Sequence, residues 1–498
     1  MSGEFLAYDA LPYTGEAYPQ THPSALFAAG WLLGMSPADP QQCRVLEIGC
    51  ADATNLIAMA AGLPQSTFVG VDGSAVQIAS GQALIAALGL VNITLHVADL
   101  RDFAPPPGSF DYVITHGVYS WVAPDAQAAL LALCRTALTE QGIAYVSYNA
   151  LPGWHACRVV RDLMRYHASK FESLPEQLRQ ARAILAFVAK SAVQPVYART
   201  LQSFVPYLDR IDDDYLFHDY LEANNDPRML REFVDEAVAA GLTYLGDAEL
   251  HRMAGLDLPV SVRAQIEAFT DDPVDQEQYL DLVSDRTLRR TLLCRDGVAP
   301  QRSLDLSRAH RLSFTTGLVE EAGSDPVTFR HRRTRDAVVI ADPVRVEALR
   351  ILQAHAPQPV PFVTLALAVG AGGLEGLLLQ GVLQGVVAAY DAPIPVTGKV
   401  GEYPEVWWLA RHLAAQGRPP ISRLHHSVPP LSALDPLVIA LLNGSRSLSD
   451  LVAELQPMVA VDDGDPVAAL TEAIEMILER CAREGLLIEK RHDTRILA

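Results

Sequence analysis

The chain has 498 residues, too many for a single hydrophobic core, so two to four domains are expected. Half of the residues are apolar, a fifth are charged, and the formal net charge is −20. Four lysines stand among 39 basic residues, and the first 150 residues carry twelve acids against three arginines, a surface that repels phosphate backbones, attracts cations and argues against nucleic-acid binding through a basic patch.

The N-terminal MSGEFLAYDALPYTG lacks a basic region followed by an apolar run, so no signal peptide is expected and the protein reads as cytoplasmic. From residue 43, apolar runs of strand length recur: CRVLEI (43–48), TFVGVD (67–72), ITLHVAD (93–99), FDYVITHG (110–117) and GIAYVSYN (142–149). Helical patterns lie between most of them, at 55–62, at 75–88 behind a Ser74 N-cap and at 125–138 behind Pro124. Continuous apolar strands alternating with amphipathic helices predict an α/β fold, a doubly wound, Rossmann-like parallel sheet covered on both faces.

After Asn149 the stretch LPGW breaks the pattern, and residues 155–208 read as helices. Positions 159, 163, 167, 171 and 174, apolar apart from His167, fit one face, and apolar positions 178, 181, 184, 185 and 188 another. Strand-like runs return at LTYLGD (242–247) and RRTLLCR (289–295), so a helical insertion interrupts a sheet whose last two strands follow it. Beyond residue 300 the signals weaken into helical patterns at 342–390 and 431–498, with no convincing internal repeat. DPLVIALLNGSRSLSDLVAEL (435–455) has two short helices about a Gly-Ser turn, as winged-helix domains do, and GKVGEYPEVWWLARH (398–412) reads as a link. The basic run RHRRTR (330–335) reads as a solvated loop. Residues 360–390 are the most membrane-like, but Glu375, Gln380, Gln384 and several glycines interrupt the roughly 20 apolar residues that a span requires.

In an open α/β sheet, ligands bind beyond the carboxyl ends of the strands. The first run ends in Glu47-Ile48-Gly49-Cys50-Ala51-Asp52-Ala53 and the second in Asp72; the third ends in Ala98-Asp99-Leu100, the fourth in His116-Gly117-Val118-Tyr119 and the fifth in Tyr148-Asn149. An acid closing the second strand can accept hydrogen bonds from both hydroxyls of a ribose, in dinucleotide sites as in others. A dinucleotide, however, lays its pyrophosphate on a helix N-terminus through G-x-G-x-x-G. Here Ala51 and Ala53 crowd that approach, and no lysine or arginine stands ready. A phosphate-free cofactor, S-adenosyl-L-methionine, has no such need. Its amino-acid part suits the backbone of Gly49, Cys50 and Ala51, its ribose Asp72 and its adenine Asp99, with Glu47 holding the loop or a water beneath. Asn55, Gly73, Ser74, Gln77, Ala98, Leu100, His116 and Gly117 complete the candidate cofactor set. The scattered cysteines and the pair His425-His426 offer no third ligand, so no metal is assigned.

The blocks RVLEIGCADATNLIAMA, FVGVDGSAVQIASGQALIAALGLVNITLHVADL, FDYVITHGVYSWV and GIAYVSYNALPGWH resemble the class I S-adenosylmethionine-dependent methyltransferases. More narrowly, HGVYSWV, SYNALPGWH, the leader PYTGEAYPQTHP (12–23), LFHDYLEANNDPRMLREFVDEAVAAGLTYLGDAELH (216–251) and LRRTLLCR (288–295) resemble the bacterial subfamily with a methyltransferase regulatory domain. That subfamily includes rickettsial protein lysine methyltransferases. The resemblance covers roughly the first 300 residues and departs where Ala51 and Ala53 replace common glycines and where Gly73 follows Asp72.

The resemblance implies a seven-stranded methyltransferase sheet with a helical insertion, and C-terminal domains that are mainly helical and winged-helix-like. The expected division is 1–154 for the cofactor-binding core with an N-terminal lid, 155–215 for an insertion serving dimerisation, 216–300 for a regulatory segment completing the sheet, 301–420 for a middle domain and 421–498 for the C-terminal domain. It implies methyl transfer to a protein or peptide, first of all to a lysine amine, without metal, nucleic acid or a membrane span. Tyr119, Trp121, Tyr148 and Asn149 are the candidate catalytic wall, because an aromatic pocket desolvates an amine and holds cations. Trp154, His218 and Tyr220 are candidate substrate contacts, and Tyr13, Thr21 and His22 a candidate lid. Two other readings stay open: a non-catalytic regulatory protein on a degenerate methyltransferase fold, and a small-molecule methyltransferase. A dehydrogenase is disfavoured by the missing phosphate loop.

Overall fold

The computed structural model describes residues 11, 15–256, 258–301, 305–332, 335, 337–458 and 465–489. After α1 (Pro23–Leu32), five strands alternate with three helices: β1 (Arg44–Ile48), α2 (Thr54–Gly62), β2 (Thr67–Asp72), α3 (Ala75–Leu88), β3 (Ile93–Val97), β4 (Phe110–Thr115), α4 (Pro124–Ala137) and β5 (Leu138–Asn149). All six residues of β4 are buried, as are four of the five in β1, which is why these strands read as unbroken apolar runs. β5 begins four residues before its apolar run, because Leu138 leaves α4 directly and pairs with Phe110 ahead of a register shift.

The chain then forms α5 (Trp154–Ala168), α6 (Leu174–Ser191) and α7 (Pro195–Leu208), followed by a π-turn at Phe217–Leu221. The second expected face is as read, with Leu178, Ala181 and Leu185 buried. The first is displaced by one position: Val160, Met164 and Ala168 are buried, and Val159 is exposed. Arg161 explains the shift, since its side chain turns inward toward the carbonyls of residues 219–224 and takes its neighbours with it. These helices have their own core, separate from those on the two faces of the sheet.

The sheet resumes with α8 (Leu230–Ala239), β6 (Leu242–Asp247), α9 (Val260–Phe269), α10 (Pro273–Ser284) and β7 (Leu288–Arg295). Its strand order is β3-β2-β1-β4-β5-β7-β6, with β7 antiparallel to both neighbours, so the doubly wound sheet is mixed rather than all parallel. Where β7 meets α10, fully buried Arg289 is satisfied by Glu277 at 2.9 Å and by both oxygens of Asp281 at 2.7 and 2.9 Å. A buried cation needs such pairing to avoid its desolvation cost.

The remainder contains β8 (Ser313–Thr316), β9 (Leu318–Glu320), β10 (Thr328–His331), β11 (Ala337–Val339), α11 (Pro343–His355), β12 (Val360–Pro361), α12 (Phe362–Val369), α13 (Leu374–Leu383) and β13 (Val387–Tyr390). In place of a wholly solvated loop, Arg330 and His331 of the basic run lie in β10, between β11 and β9; Arg333 and Thr334 fall outside the described residues. The membrane-like stretch folds as two short helices and a strand whose Leu365, Leu378 and Val387 are buried. No helix among the described residues is long and apolar enough to cross a membrane.

The last part comprises α14 (Trp408–Ala415), α15 (Leu434–Leu441), α16 (Leu448–Leu455) and α17 (Pro466–Arg483). The segment 398–412 is not a free link: Glu405 bridges to Asn443, Val406 bridges to Leu487, and Trp407 is buried. Burial of an indole and two backbone bridges tie it to the C-terminal unit. Two units thus share one order, since β8 lies between β12 and β13 as the 405–406 segment lies between residues 443 and 487. In each, the central strand comes first, an outer strand follows, and two helices precede the other outer strand. The sequence shows no repeat because this order constrains which positions are apolar and not which side chains fill them.

Candidate active site

A cavity of about 630 Å³ opens beyond the carboxyl ends of β1 to β5, within the usual range for ligand sites. One wall is the β1–α2 loop. Gly49 has φ of 71°, and a Cβ there would stand 2.4 Å from Val118 Cγ2, so this position takes only glycine without rearrangement. Ala51 and Ala53 also have left-handed backbones, with φ of 49° and 57°. Such a conformation costs a non-glycine residue roughly 1–2 kcal/mol, so the two alanines store strain in this loop.

Asp72 ends β2 and joins that loop to the next. Its Oδ2 accepts from Ala51 N and its Oδ1 from Ser74 N, both at 2.8 Å, while the carboxylate also faces the cavity. Ser74 caps α3 by accepting from Gln77 N at 3.1 Å and does not line the cavity, whereas Gly73 and Gln77 do. Ala98, Asp99 and Leu100 lie where expected, but Asp99 is engaged by Arg101, which donates to its two oxygens at 2.9 and 2.6 Å and lowers its pKa. Arg101 itself lines the cavity, so a cation does stand there; it is held between Asp99 and Asp125.

Beneath the loop, buried Glu47 accepts from Asn55 Nδ2 at 2.8 Å, and burial pushes its carboxyl up to about 8. Its Oε2 has no hydrogen-bond partner among the described residues. Across the cavity His116 is held by the Tyr145 hydroxyl at 3.0 Å, and burial lowers it to about 3, so it is neutral. Tyr18 packs on it with ring centres 3.9 Å apart. Asn149 Nδ2 is also buried without a partner among the described residues, and Trp121, Asn149, His218, Asp219 and Glu222 extend the wall outward.

Several expected residues lie elsewhere. Tyr119 and Tyr148 do not line the cavity: their hydroxyls meet Glu236 and Thr291, and their rings pack on Phe233 at 5.0 and 4.2 Å. Strand alternation is the reason for Tyr148, because Ser147 and Asn149 on either side of it line the cavity. Trp154 stands edge-on behind Trp121 at 5.9 Å, and Tyr220 is buried in the core of the insertion. Thr21 bonds Asn55, and His22 caps α1 and lines a smaller cavity of about 160 Å³ with His425 and Asp391. Tyr13 lies outside the described residues. The N-terminal residues that reach the cavity are instead Gly15, Glu16 and Tyr18; a Cβ on Gly15 would lie 2.1 Å from Asp52 Oδ1, so this segment and the loop are in direct contact. Among the described residues, no group of three or more His, Cys, Asp or Glu is placed to hold a metal ion.

Comparison with known proteins accords with this geometry. Residues 45–142 match the family of the methyltransferase domain, and residues 212–295 that of the predicted methyltransferase regulatory domain. An uncharacterized Rickettsia prowazekii protein, RP028, is 32% identical over 234 residues, which cover 94% of its length and 47% of this chain. The chain belongs to the class I S-adenosylmethionine-dependent methyltransferase family with a methyltransferase regulatory domain. A second R. prowazekii relative, the uncharacterized protein RP789, is 36% identical over 316 residues, 63% of this chain; the match spans 57% of the relative's own length. PKMT2 from Rickettsia typhi, solved in complex with AdoHcy, superposes with a TM-score of 0.84 at 25% identity, covering 96% of this chain and 100% of that one. The family assignment thus agrees with the seven-stranded sheet.

Proposed function

We propose that the protein transfers a methyl group from S-adenosyl-L-methionine to a protein or peptide substrate, with a lysine amine as the acceptor. The observation that carries this reading is one continuous cavity with the β1–α2 loop and Asp72 at one end and Trp121, Asn149, His218, Asp219 and Glu222 at the other. Two buried polar atoms on its wall, Glu47 Oε2 and Asn149 Nδ2, have no hydrogen-bond partner among the described residues and fit a polar ligand. The similarity to PKMT2 supports the lysine substrate.

When bound, the cofactor supplies an electrophilic methyl on a sulfonium. Gly49, Cys50 and Ala51 would hold its amino-acid part, Asp72 its ribose, and Asp99 with Leu100 its adenine. The protein's work is alignment and desolvation, and alignment alone can contribute about 7–11 kcal/mol. Trp121 and neutral His116 give the acceptor a poorly hydrated surround that lowers an amine's pKa. Glu16, Asp219 and Glu222 draw a cationic side chain inward and offer a route for its proton. Asn149 orients the acceptor nitrogen. Dimerisation through the insertion belongs to the same proposal, supported by exposed Tyr166, Phe187, Val193 and Val196 on its helices and connections.

Calorimetry with S-adenosylmethionine, with NAD as control and Asp72→Ala alongside, is the first test. Cofactor binding lost in Asp72→Ala, followed by labelled methyl groups found on lysine in substrate peptides, is the expected result. No binding by the wild type would overturn the enzyme reading and leave the regulatory one; label on a small molecule alone would overturn the protein substrate.

A further inference from the structure

We propose that Arg418 and His425, carried by the C-terminal unit, are positioning residues for the cofactor loop, so that the S-adenosyl site is complete only with that unit docked. This inference rests on the function proposed above for the same cavity. Neither side chain lines the cavity; each acts through a residue that does.

Arg418 Nη2 donates to Asp52 Oδ2 at 2.7 Å and also to Thr54 Oγ1. Asp52 is 8% exposed, and its other oxygen accepts from Thr54 N at 3.0 Å, closing the turn between the two left-handed alanines. One guanidinium from more than 360 residues away therefore grips the loop at its most strained point. An isolated ion pair at the surface contributes little, but this one is largely shielded and bonded on several sides.

His425 reaches the same loop from another direction. Its Nε2 lies 2.8 Å from Asn55 Oδ1, which also accepts from Tyr18 N at 3.0 Å. Because the backbone N–H of Tyr18 can only donate, the Asn55 atom it meets is the oxygen, and Nε2 of the buried, neutral His425 ring carries the proton toward it. Ser427 Oγ accepts from Ala17 N at 2.9 Å, so the same segment also holds the N-terminal residues.

The gripping segment is built to be stiff. Ile421 bridges to Ser427, Ser422 N donates to His426 O at 2.8 Å, and His425 N donates to Ser422 O at 2.9 Å. The indole of Trp407 donates to Ile421 O and anchors the turn to the C-terminal unit. Loop, N-terminal residues and C-terminal turn thus form one hydrogen-bonded assembly around Asn55 and Asp52. A family loop that would take glycines without strain is here held by a distant part of the chain.

The test uses the full-length protein and the variants Arg418→Gln, His425→Ala, Asp52→Asn and the double Arg418→Gln/Asp52→Asn. Two quantities are read: calorimetric affinity for S-adenosylmethionine, and hydrogen exchange of peptides covering residues 49–57 without cofactor. Arg418→Gln should weaken binding by about tenfold, with faster exchange in that segment and an unchanged circular-dichroism spectrum. The double variant should bind no more weakly than the weaker single one, because Arg418 acts through Asp52. Binding within twofold of wild type together with unchanged exchange would overturn the proposal, as would strictly additive losses. If Arg418→Gln does not fold, His425→Ala decides by the same two readings. Should the wild type not bind the cofactor, the proposed function fails, and the exchange measurements still decide whether Arg418 holds the loop.

Discussion

Asn55 Nδ2 donates to Glu47 Oε1 at 2.8 Å, while the second oxygen of that buried carboxyl has no hydrogen-bond partner among the described residues. Burial raises Glu47 to about 8. A carboxyl whose folded pKa lies above its unfolded value stabilises the fold fully at low pH and loses that contribution as pH climbs toward the folded pKa. Without cofactor, wild-type stability should therefore fall between about pH 5 and 8 relative to Glu47→Gln, by up to about 1.4 kcal/mol per pH unit for one proton. Denaturant titrations of both proteins at several pH values check this; parallel profiles would refute it.

Glycine at position 51 or 53 should relieve the left-handed strain. The gain, about 1–2 kcal/mol, is offset by about 0.4–1 kcal/mol from the freer unfolded chain. Ala51→Gly and Ala53→Gly are each expected to be neutral or to stabilise by up to about 1.6 kcal/mol. Thermal unfolding measures it, and a clear loss in both would contradict the strain argument.

Arg161 is almost fully buried, forms no ion pair among the described residues, and burial lowers it to about 10. It donates to the carbonyls of Asp219, Glu222, Ala223 and Asn224, and its guanidinium lies 5.9 Å from the centre of the Trp121 ring. Arg161→Ala should loosen the acceptor side of the cavity and cost about 2–4 kcal/mol of stability. Steady-state kinetics on a peptide acceptor should show kcat/KM down by at least about tenfold, with cofactor affinity within about threefold. An effect confined to cofactor binding would contradict the assignment.

The aromatic residues around strand five separate by the direction they face. Trp121→Ala should reduce methyl transfer by about tenfold or more, through loss of the apolar wall. Tyr148→Phe should leave it within about twofold, because its hydroxyl meets Thr291 at 3.3 Å and its ring packs on Phe233. Single-turnover assays of the two variants make the comparison, and equal losses would restore Tyr148 to the site.

The place of Asp72 at the end of β2 was legible in the sequence because an apolar run of strand length closes on it, 25 residues after Glu47. The sheet was legible for the same reason: burial on both faces writes itself as unbroken apolar runs. Tyr148 was misread because chain position alone does not say which face of a strand a side chain takes. Tyr18 lay inside the quoted leader, yet its neighbours Tyr13, Thr21 and His22 carried the same composition and hid it. Arg418 and His425 left no trace, since no local pattern encodes a hydrogen bond to a residue more than 360 positions away. His425 in particular was judged only as a metal ligand, and its actual partner is an amide oxygen.

The antiparallel strand β7 imposes an order in time. β5, with all of its last eight residues buried, pairs along its outer edge with β7, which follows roughly 140 residues later. At about 5–20 residues per second, translation leaves that apolar edge uncovered for on the order of ten seconds. During that interval the insertion emerges and can close its separate core, while the cofactor loop has no finished sheet behind it. A nascent chain of this protein therefore presents a long unpaired edge that other strands can occupy, and its yield depends on what shields β5 until Leu288–Arg295 arrives.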